Sequence, residues 1–280
     1  MRTLPMLVLS ACAALVATTI AAPAAMAASL NNTFERPTAG SSYPRAQWGT
    51  DGWSAPWDLG LDNRTLIDSS VKRSGSKSLR VTYPARQIGP ENSGASAPFA
   101  IPRAREYYVA QWVRFSPDFS WGTTQFAGKI GIGLGAGASC SGGVPCDGYN
   151  GFTSRFIWRS GGKAAIYYYS MDHAGQYGDY RDLSVGGSTV YYPRGQWVEI
   201  VQRVRVNTVT NGNANPDGEI QVWYNGQSAA LISGLKFVRN GDLIDRAYLS
   251  SFHGGADTTF APTNTSYIWY DDLRVNTSPV

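Results

Sequence analysis

An all-β chain, folded as an antiparallel two-sheet β-sandwich of jelly-roll type, is predicted by three observations. Short runs of alternating apolar and polar residues bounded by turn residues recur along the sequence, Tyr, Trp, Gly, Thr and Val are plentiful, and long amphipathic helical patterns are missing. At least eight such runs with irregular links favour two packed sheets.

The 280 residues open with Arg2, an apolar run over 4–16 and a small-x-small site at Ala25-Met26-Ala27, which reads as a secretory signal over residues 1–27. A loose lipobox at Leu9-Ser10-Ala11-Cys12 is the weaker alternative, because the apolar stretch before Cys12 is short. About 250 residues remain, a length that suits one catalytic jelly-roll domain over 28–280. No later apolar segment is long enough to span a bilayer, so a soluble, secreted, extracellular protein is expected, with no membrane partner. Residues 1–27 carry Arg2 as their only charge, so their removal takes the formal net charge from +4 to +3. That balance is compatible with an acidic ligand, and no dense Lys/Arg stripe, helix-turn-helix or zinc-finger spacing suggests nucleic acid.

Taken in order, the predicted strands are Ser78–Tyr83, Glu106–Phe115, Phe152–Arg159, 164–171, 196–206, 219–224, 247–252 and 266–275. Asn225-Gly226 is a hairpin turn signal after the sixth. The Gly-rich piece 128–148 is read as an ordered loop beside a site, stapled by a local Cys140–Cys146 disulfide, since Cys12 leaves with the signal and export favours oxidation. Phe34-Glu35 near the start and Tyr270-Asp271-Asp272 near the end are placed to meet. Similar carbohydrate-binding jelly rolls hold a structural calcium between a Glu and an Asp so placed, which makes Glu35 and Asp271 candidate ligands remote from the chemistry.

The segment 151–171 is the most informative. Phe152, Ser154, Phe156 and Trp158 share one face of a strand and read as core, while Thr153, Arg155, Ile157 and Arg159 share the other. Ser160-Gly161-Gly162 supplies the hairpin loop. A three-residue loop sets Arg155 opposite Tyr167 and Thr153 opposite Tyr169; a five-residue loop sets Arg155 opposite Tyr169. Either way a cation and two phenols converge. Familiar hydrolase signatures are missing, including G-x-S-x-G, H-E-x-x-H, the phosphate loop and the E-x-D-x-x-E strand of sandwich-fold glucanases. What remains is Lys, Arg and Tyr, a set better suited to elimination than to hydrolysis.

The chain resembles polysaccharide lyase family 14, which includes alginate and glucuronan-type lyases, over residues 107–275. The family pattern of a Lys before a Gly/Pro-rich turn, S-x-R on a strand and Tyr-x-Tyr on the next is matched by Lys129-Ile130-Gly131, Thr153-Ser154-Arg155 and Tyr167-Tyr168-Tyr169. Thr153 replaces the family's Ser, Gly-Ile-Gly stands where the family usually has Pro, and the Cys140/Cys146 insert separates the Lys from the S-x-R strand. The resemblance implies a secreted lyase that cuts a 4-linked uronic-acid polysaccharide, alginate or glucuronan, by β-elimination. In that reading Arg155 and Lys129 neutralise the uronate carboxylate, and Tyr169, partnered by Tyr167, acts as acid/base, its phenolate favoured by the two cations. His253 is an alternative base, and His253, Gln111 and Arg159 are candidate groove residues. The chemistry needs no redox or metal cofactor, and the chain is expected to act as a monomer. Two other functions fit the same residues: a non-catalytic carbohydrate-binding jelly roll for acidic glycans, and a glycoside hydrolase with unrecognised carboxylates.

Overall fold

The computed structural model describes residues 29–123, 126–255 and 257–280. The predicted signal, residues 1–27, lies outside them. Among the described residues two antiparallel sheets of eight and six strands stack face to face. In chain order the strands are β1 (Ser29–Asn32), β2 (Thr65–Asp68), β3 (Ser78–Tyr83), β4 (Ala95–Ala104), β5 (Glu106–Phe115), β6 (Phe126–Ala136), β7 (Phe152–Arg159), β8 (Lys163–Tyr168), β9 (Asp179–Asp182), β10 (Trp197–Arg205), β11 (Gly218–Tyr224), β12 (Gln227–Leu235), β13 (Ile244–His253) and β14 (Ser266–Asn276). The larger sheet runs β12-β11-β10-β5-β14-β3-β2 with β1 also beside β14, and the smaller runs β4-β13-β6-β7-β8-β9. The predicted sandwich is the observed one, and among the described residues no helix is long and apolar enough to cross a membrane.

Period-two alternation builds the core. Val198, Ile200, Gln202 and Val204 of β10 point inward, and Phe152, Ser154, Phe156 and Trp158 of β7 face them as the sequence predicts. The reading of 128–148 as a loop is corrected in its first half. Ile130, Ile132, Leu134 and Ala136 are buried and alternate with glycines, so this stretch forms β6, a central strand with one face in the core and the other nearly bare. Absent side chains, rather than irregular backbone, explain its Gly content.

β6 carries two residues more than its neighbour. Ile130 pairs with Phe156 and Leu134 with Ser154, so four steps on β6 span two on β7. Backbone groups in this bulge find partners on the opposite sheet instead. Tyr270 Oη accepts from Gly131 N at 3.0 Å, Gln111 Oε1 accepts from Ile132 N at 2.8 Å, and Gln111 Nε2 donates to Ile132 O at 3.0 Å. Gln202 also donates to Ile132 O, at 3.4 Å, while its Oε1 accepts from Ser154 Oγ at 2.9 Å. Ser251 links the hydroxyls of Tyr270 and Tyr83 behind them. Gln111 is therefore no groove residue: it is fully buried and its amide is spent on the bulge.

The chain ends do meet, since β1 takes over from β3 along the same edge of β14. The expected calcium ligands do not fit a cation. Glu35 Oε1 accepts from Ser76 N and Lys77 N, both at 2.9 Å. Asp271 Oδ2 accepts from Arg73 N at 2.9 Å and Ser74 N at 3.3 Å, and its Oδ1 from Asp272 N at 2.9 Å. Backbone donors thus point at the oxygens calcium would need, and among the described residues no group of three or more His, Cys, Asp or Glu converges. The two carboxylates instead tie the loop before β3 to both ends of the chain.

Gly131 sits at φ +65°, and a Cβ there would lie 2.0 Å from Gln111 Oε1. Gly131→Ala should therefore lower unfolding stability by about 2–4 kcal/mol through strain and overpacking. Urea denaturation measures it, and a loss below half a unit would refute the tight clamp.

Candidate active site

Cations and phenols come together on the outer face of the smaller sheet. The three-residue hairpin register is the one adopted: Arg155 lies opposite Tyr167, and Tyr169 N donates to Thr153 O at 2.9 Å. Lys129 on β6 stands beside them because the bulge follows it. Its Nζ lies 5.0 Å from the ring centre of Phe252 and 5.9 Å from that of Tyr167, and Arg155 Cζ lies 5.8 Å from the same Tyr167 ring. Tyr167 is thus flanked by both cations. Gly133 and Gly254 make room, since a Cβ at the first would lie 2.9 Å from Arg155 Cγ and at the second 3.0 Å from Lys129 Nζ.

Neither cation has an acidic partner among the described residues. Arg155 is 6% exposed, its Nε has no hydrogen-bond partner, and neither it nor Lys129 enters an ion pair. Burial, with Arg155 close by, pushes the Lys129 ammonium down to about 7. Burial also lowers Arg155, while the phenols of Tyr248, Tyr167 and Tyr169 pull it back. Arginine stays charged regardless.

Tyr167 behaves differently from the expectation. Proximity to two cations was to favour phenolate, yet burial holds Tyr167 well above its ordinary value, and its hydrogen bond to Tyr169 adds to that, with Arg155 opposing. Desolvation outweighs the guanidinium. Tyr167 Oη donates to Tyr169 Oη at 3.0 Å and accepts from Gly178 N at 3.1 Å. Tyr169 Oη also accepts from Gly143 N at 3.2 Å. Tyr169 is 1% exposed and packs on Cys140 and Cys146, whose predicted disulfide is present with Cα atoms 5.7 Å apart. Tyr167 is half-buried and reaches the open side.

Other expected site residues lie elsewhere. Thr153 is fully buried, and its hydroxyl donates to Cys140 O at 3.1 Å, so it anchors the disulfide loop. Arg159 grips Asp182 at 2.7 and 2.8 Å and covers the Tyr180 ring, which makes it a structural ion pair of the sheet edge. His253 is in the core, with its ring against Trp158, Tyr83 and Phe119 and Nδ1 2.9 Å from Phe260 O. It is too enclosed to act as a base or to line a groove. The reading of the sequence missed Tyr248, Phe252 and Trp57 on the site face. An alternation count through 247–252 puts Tyr248 and Phe252 on one side, which was the available signal.

His253 gives a pH test of that placement. Burial pushes its imidazole from 6.5 down to about 4. As pH falls, the unfolded chain takes up the proton first, so the native state loses stability between 6.5 and 4, by up to about 3 kcal/mol. Urea melts at neutral pH and near pH 4.5 should show His253→Gln flattening this slope relative to native protein; an unchanged slope would contradict the buried neutral ring.

Comparison with known proteins places the chain in a family. A family model, polysaccharide lyase 14, matches residues 71–273. No match was found among curated protein sequences. Among solved structures, a double mutant of alginate lyase Aly36B in complex with alginate trisaccharide aligns at TM-score 0.75 and 26% identity, covering 91% of this chain and 100% of that one. The marine PL-14 alginate lyase from Aplysia kurodai aligns at 0.67 and 22%, covering 85% and 98%. The endo-β-1,4-glucuronan lyase from the fungus Trichoderma reesei shares the fold at 0.50 and 14%, covering 81% and 92%. The family match takes in the Lys129 strand, the β7–β8 hairpin and the last sheet strands, and it sets aside a purely binding role: the chain belongs to polysaccharide lyase family 14.

Proposed function

We propose that the protein is an exported lyase that cuts a 4-linked uronan, alginate or glucuronan, by β-elimination at the Lys129–Arg155–Tyr167 centre. One observation carries the reading: two neighbouring cations, one of them buried, have no acid to neutralise them among the described residues. Leaving such a charge uncompensated costs several kcal/mol, and a uronate carboxylate is the partner that would relieve it. Arg155 takes the carboxylate, bidentately where its fork allows. That neutralisation is what makes the C5 proton acidic enough to leave.

The role of Lys129 differs from simple charge neutralisation. An amine at about 7 is largely neutral just above that pH and is able to serve as a base. Lys129 then takes the C5 proton, the electron pair forms the C4=C5 bond, and the C4–O4 bond breaks. Tyr167, kept protonated by burial, turns its proton from Tyr169 Oη to O4 and gives it up there. Tyr169 stands behind it, hydrogen-bonded through its oxygen, and supports the donor rather than touching sugar. The roles of the two tyrosines are thus exchanged relative to the sequence reading, because exposure decides which one reaches a glycosidic oxygen. Elimination leaves the net oxidation state unchanged, so no redox cofactor is called for. Export rests on the signal read at 1–27 and is supported by the Cys140–Cys146 disulfide. All proposed groups come from one chain, which supports the reading that the protein acts as a monomer.

The first test is ultraviolet absorbance from the new C4=C5 bond while the protein meets alginate blocks and glucuronan. A rise with one of them is expected. Reducing ends without absorbance would mean hydrolysis. Lys129→Arg keeps the positive charge and cannot act as base near neutrality, so it should lose at least ~100-fold in kcat; near-native turnover would return Lys129 to charge neutralisation alone. In native protein kcat/KM should rise with pH through an apparent pKa of about 7, because the reactive form of the free enzyme is the neutral amine. Tyr167→Phe should cut turnover by ~100-fold or more with substrate binding retained, and a milder loss than Tyr169→Phe would reverse the assignment.

A further inference from the structure

The face that carries Arg155 does not end at it. Tyr248 on β13 lies opposite Gly133 on one side and Pro98 on the other. Its chain neighbours Ala247 and Leu249 are buried in the core, so Tyr248 points the other way, onto the site face. Between it and Arg155 stands only Gly133, which bears no side chain. A shallow trough therefore crosses β6 from the reacting centre to the Tyr248 ring.

Trp57 continues this line beyond the sheet edge. Its ring meets that of Tyr248 edge to face, with centroids 6.2 Å apart, and the residue is 42% exposed. The segment that carries it is held in place. Leu59 bridges Ser96 on β4, Ala100 N donates to Ser54 O at 2.7 Å, and Arg45 Nη1 donates to Pro56 O at 2.7 Å. An indole fixed on the surface by its backbone on both sides is a preorganised binding platform.

We infer that Trp57, with the Tyr248 ring leading to it from Arg155, forms a sugar subsite that takes further units of the same uronan beyond those held at the reacting centre. This rests on the function proposed above. From β8, which carries Tyr167, to β13 is three strand spacings, about 14 Å, and Trp57 lies farther still. A polysaccharide crossing the strands reaches both. Aromatic faces stack on the C–H face of a sugar ring while its hydroxyls and carboxylate stay in water. The nearest cation on the same face of β13, Arg246, is already bonded to Asp245 at 2.7 Å. The platform thus recognises ring faces, and its contribution scales with chain length rather than with charge.

The test compares substrate lengths. Trp57→Ala, an exposed change, should raise KM for long uronan polymer about tenfold, with the penalty shrinking as the substrate is shortened to a trisaccharide and with Trp57→Phe recovering part of the loss. An equal penalty on polymer and trisaccharide, or none on either, overturns the subsite. If native protein cleaves no uronan, the function reading is what has failed. The subsite is then judged by retention on immobilised alginate and glucuronan: earlier elution of Trp57→Ala than of native protein upholds it, and identical elution overturns it.

Discussion

Two surplus residues in β6 decide where the candidate site of this chain sits. A bulge in a central strand strands backbone groups that the neighbouring strand no longer meets, and burying them unpaired would be costly. Gln111 and Tyr270 reach across from the opposite sheet to satisfy them, with Gln202 and Ser251 completing the network. The clamp works only because Gly131 offers no side chain and adopts a left-handed backbone. Its consequence on the outer face is that Lys129 is brought beside Tyr167 and Gly133 slips beneath Arg155. Polar groups in the core thus govern a site on the surface.

What the clamp assembles is an electrostatic imbalance. Arg155 and Lys129 repel one another in a region short of water and short of acids, and each alternative outcome is blocked: Arg155 cannot shed its proton, so Lys129 bears the shift. The same dehydration that weakens the ammonium keeps the Tyr167 phenol protonated. One environment therefore holds a weakened ammonium beside a protonated phenol, the pairing that the proposed elimination would use to move a proton from carbon to a leaving oxygen. The disulfide loop contributes at second hand. Cys140 O receives Thr153 and Gly143 N supports Tyr169, so the staple holds the tyrosine pair from behind.

Much of this was legible in the sequence, and the reasons for the rest are physical. The β7–β8 hairpin could be read because its parity is strict and Ser160-Gly161-Gly162 limits the register. The grouping of Lys129, Arg155 and Tyr167 on one face followed from that parity together with the family-like Lys, T-x-R and Tyr-x-Tyr spacing. β6 reads as a loop in the sequence because alternation with glycine looks like loop composition until the apolar positions are counted. Gln111 and His253 have polar side chains that suggest a groove, and only the fold reveals that each faces inward. Local sequence carries no information on which sheet lies opposite. Glu35 and Asp271 were correctly placed near the chain ends, but the donors that meet them are backbone groups, which no residue type announces.

The central claim, that burial beside Arg155 turns Lys129 into a base poised near neutrality, is tested most directly by the titration of its side chain. Carbon-13 at Cε can be followed by NMR across the pH range in the substrate-free protein, with the signal identified by its loss in Lys129→Arg. A midpoint of about 7 is expected for native protein, moving upward in Arg155→Met as the neighbouring charge is removed. A midpoint near 10.5, the ordinary lysine value, would contradict it and leave the two cations as charge neutralisers alone.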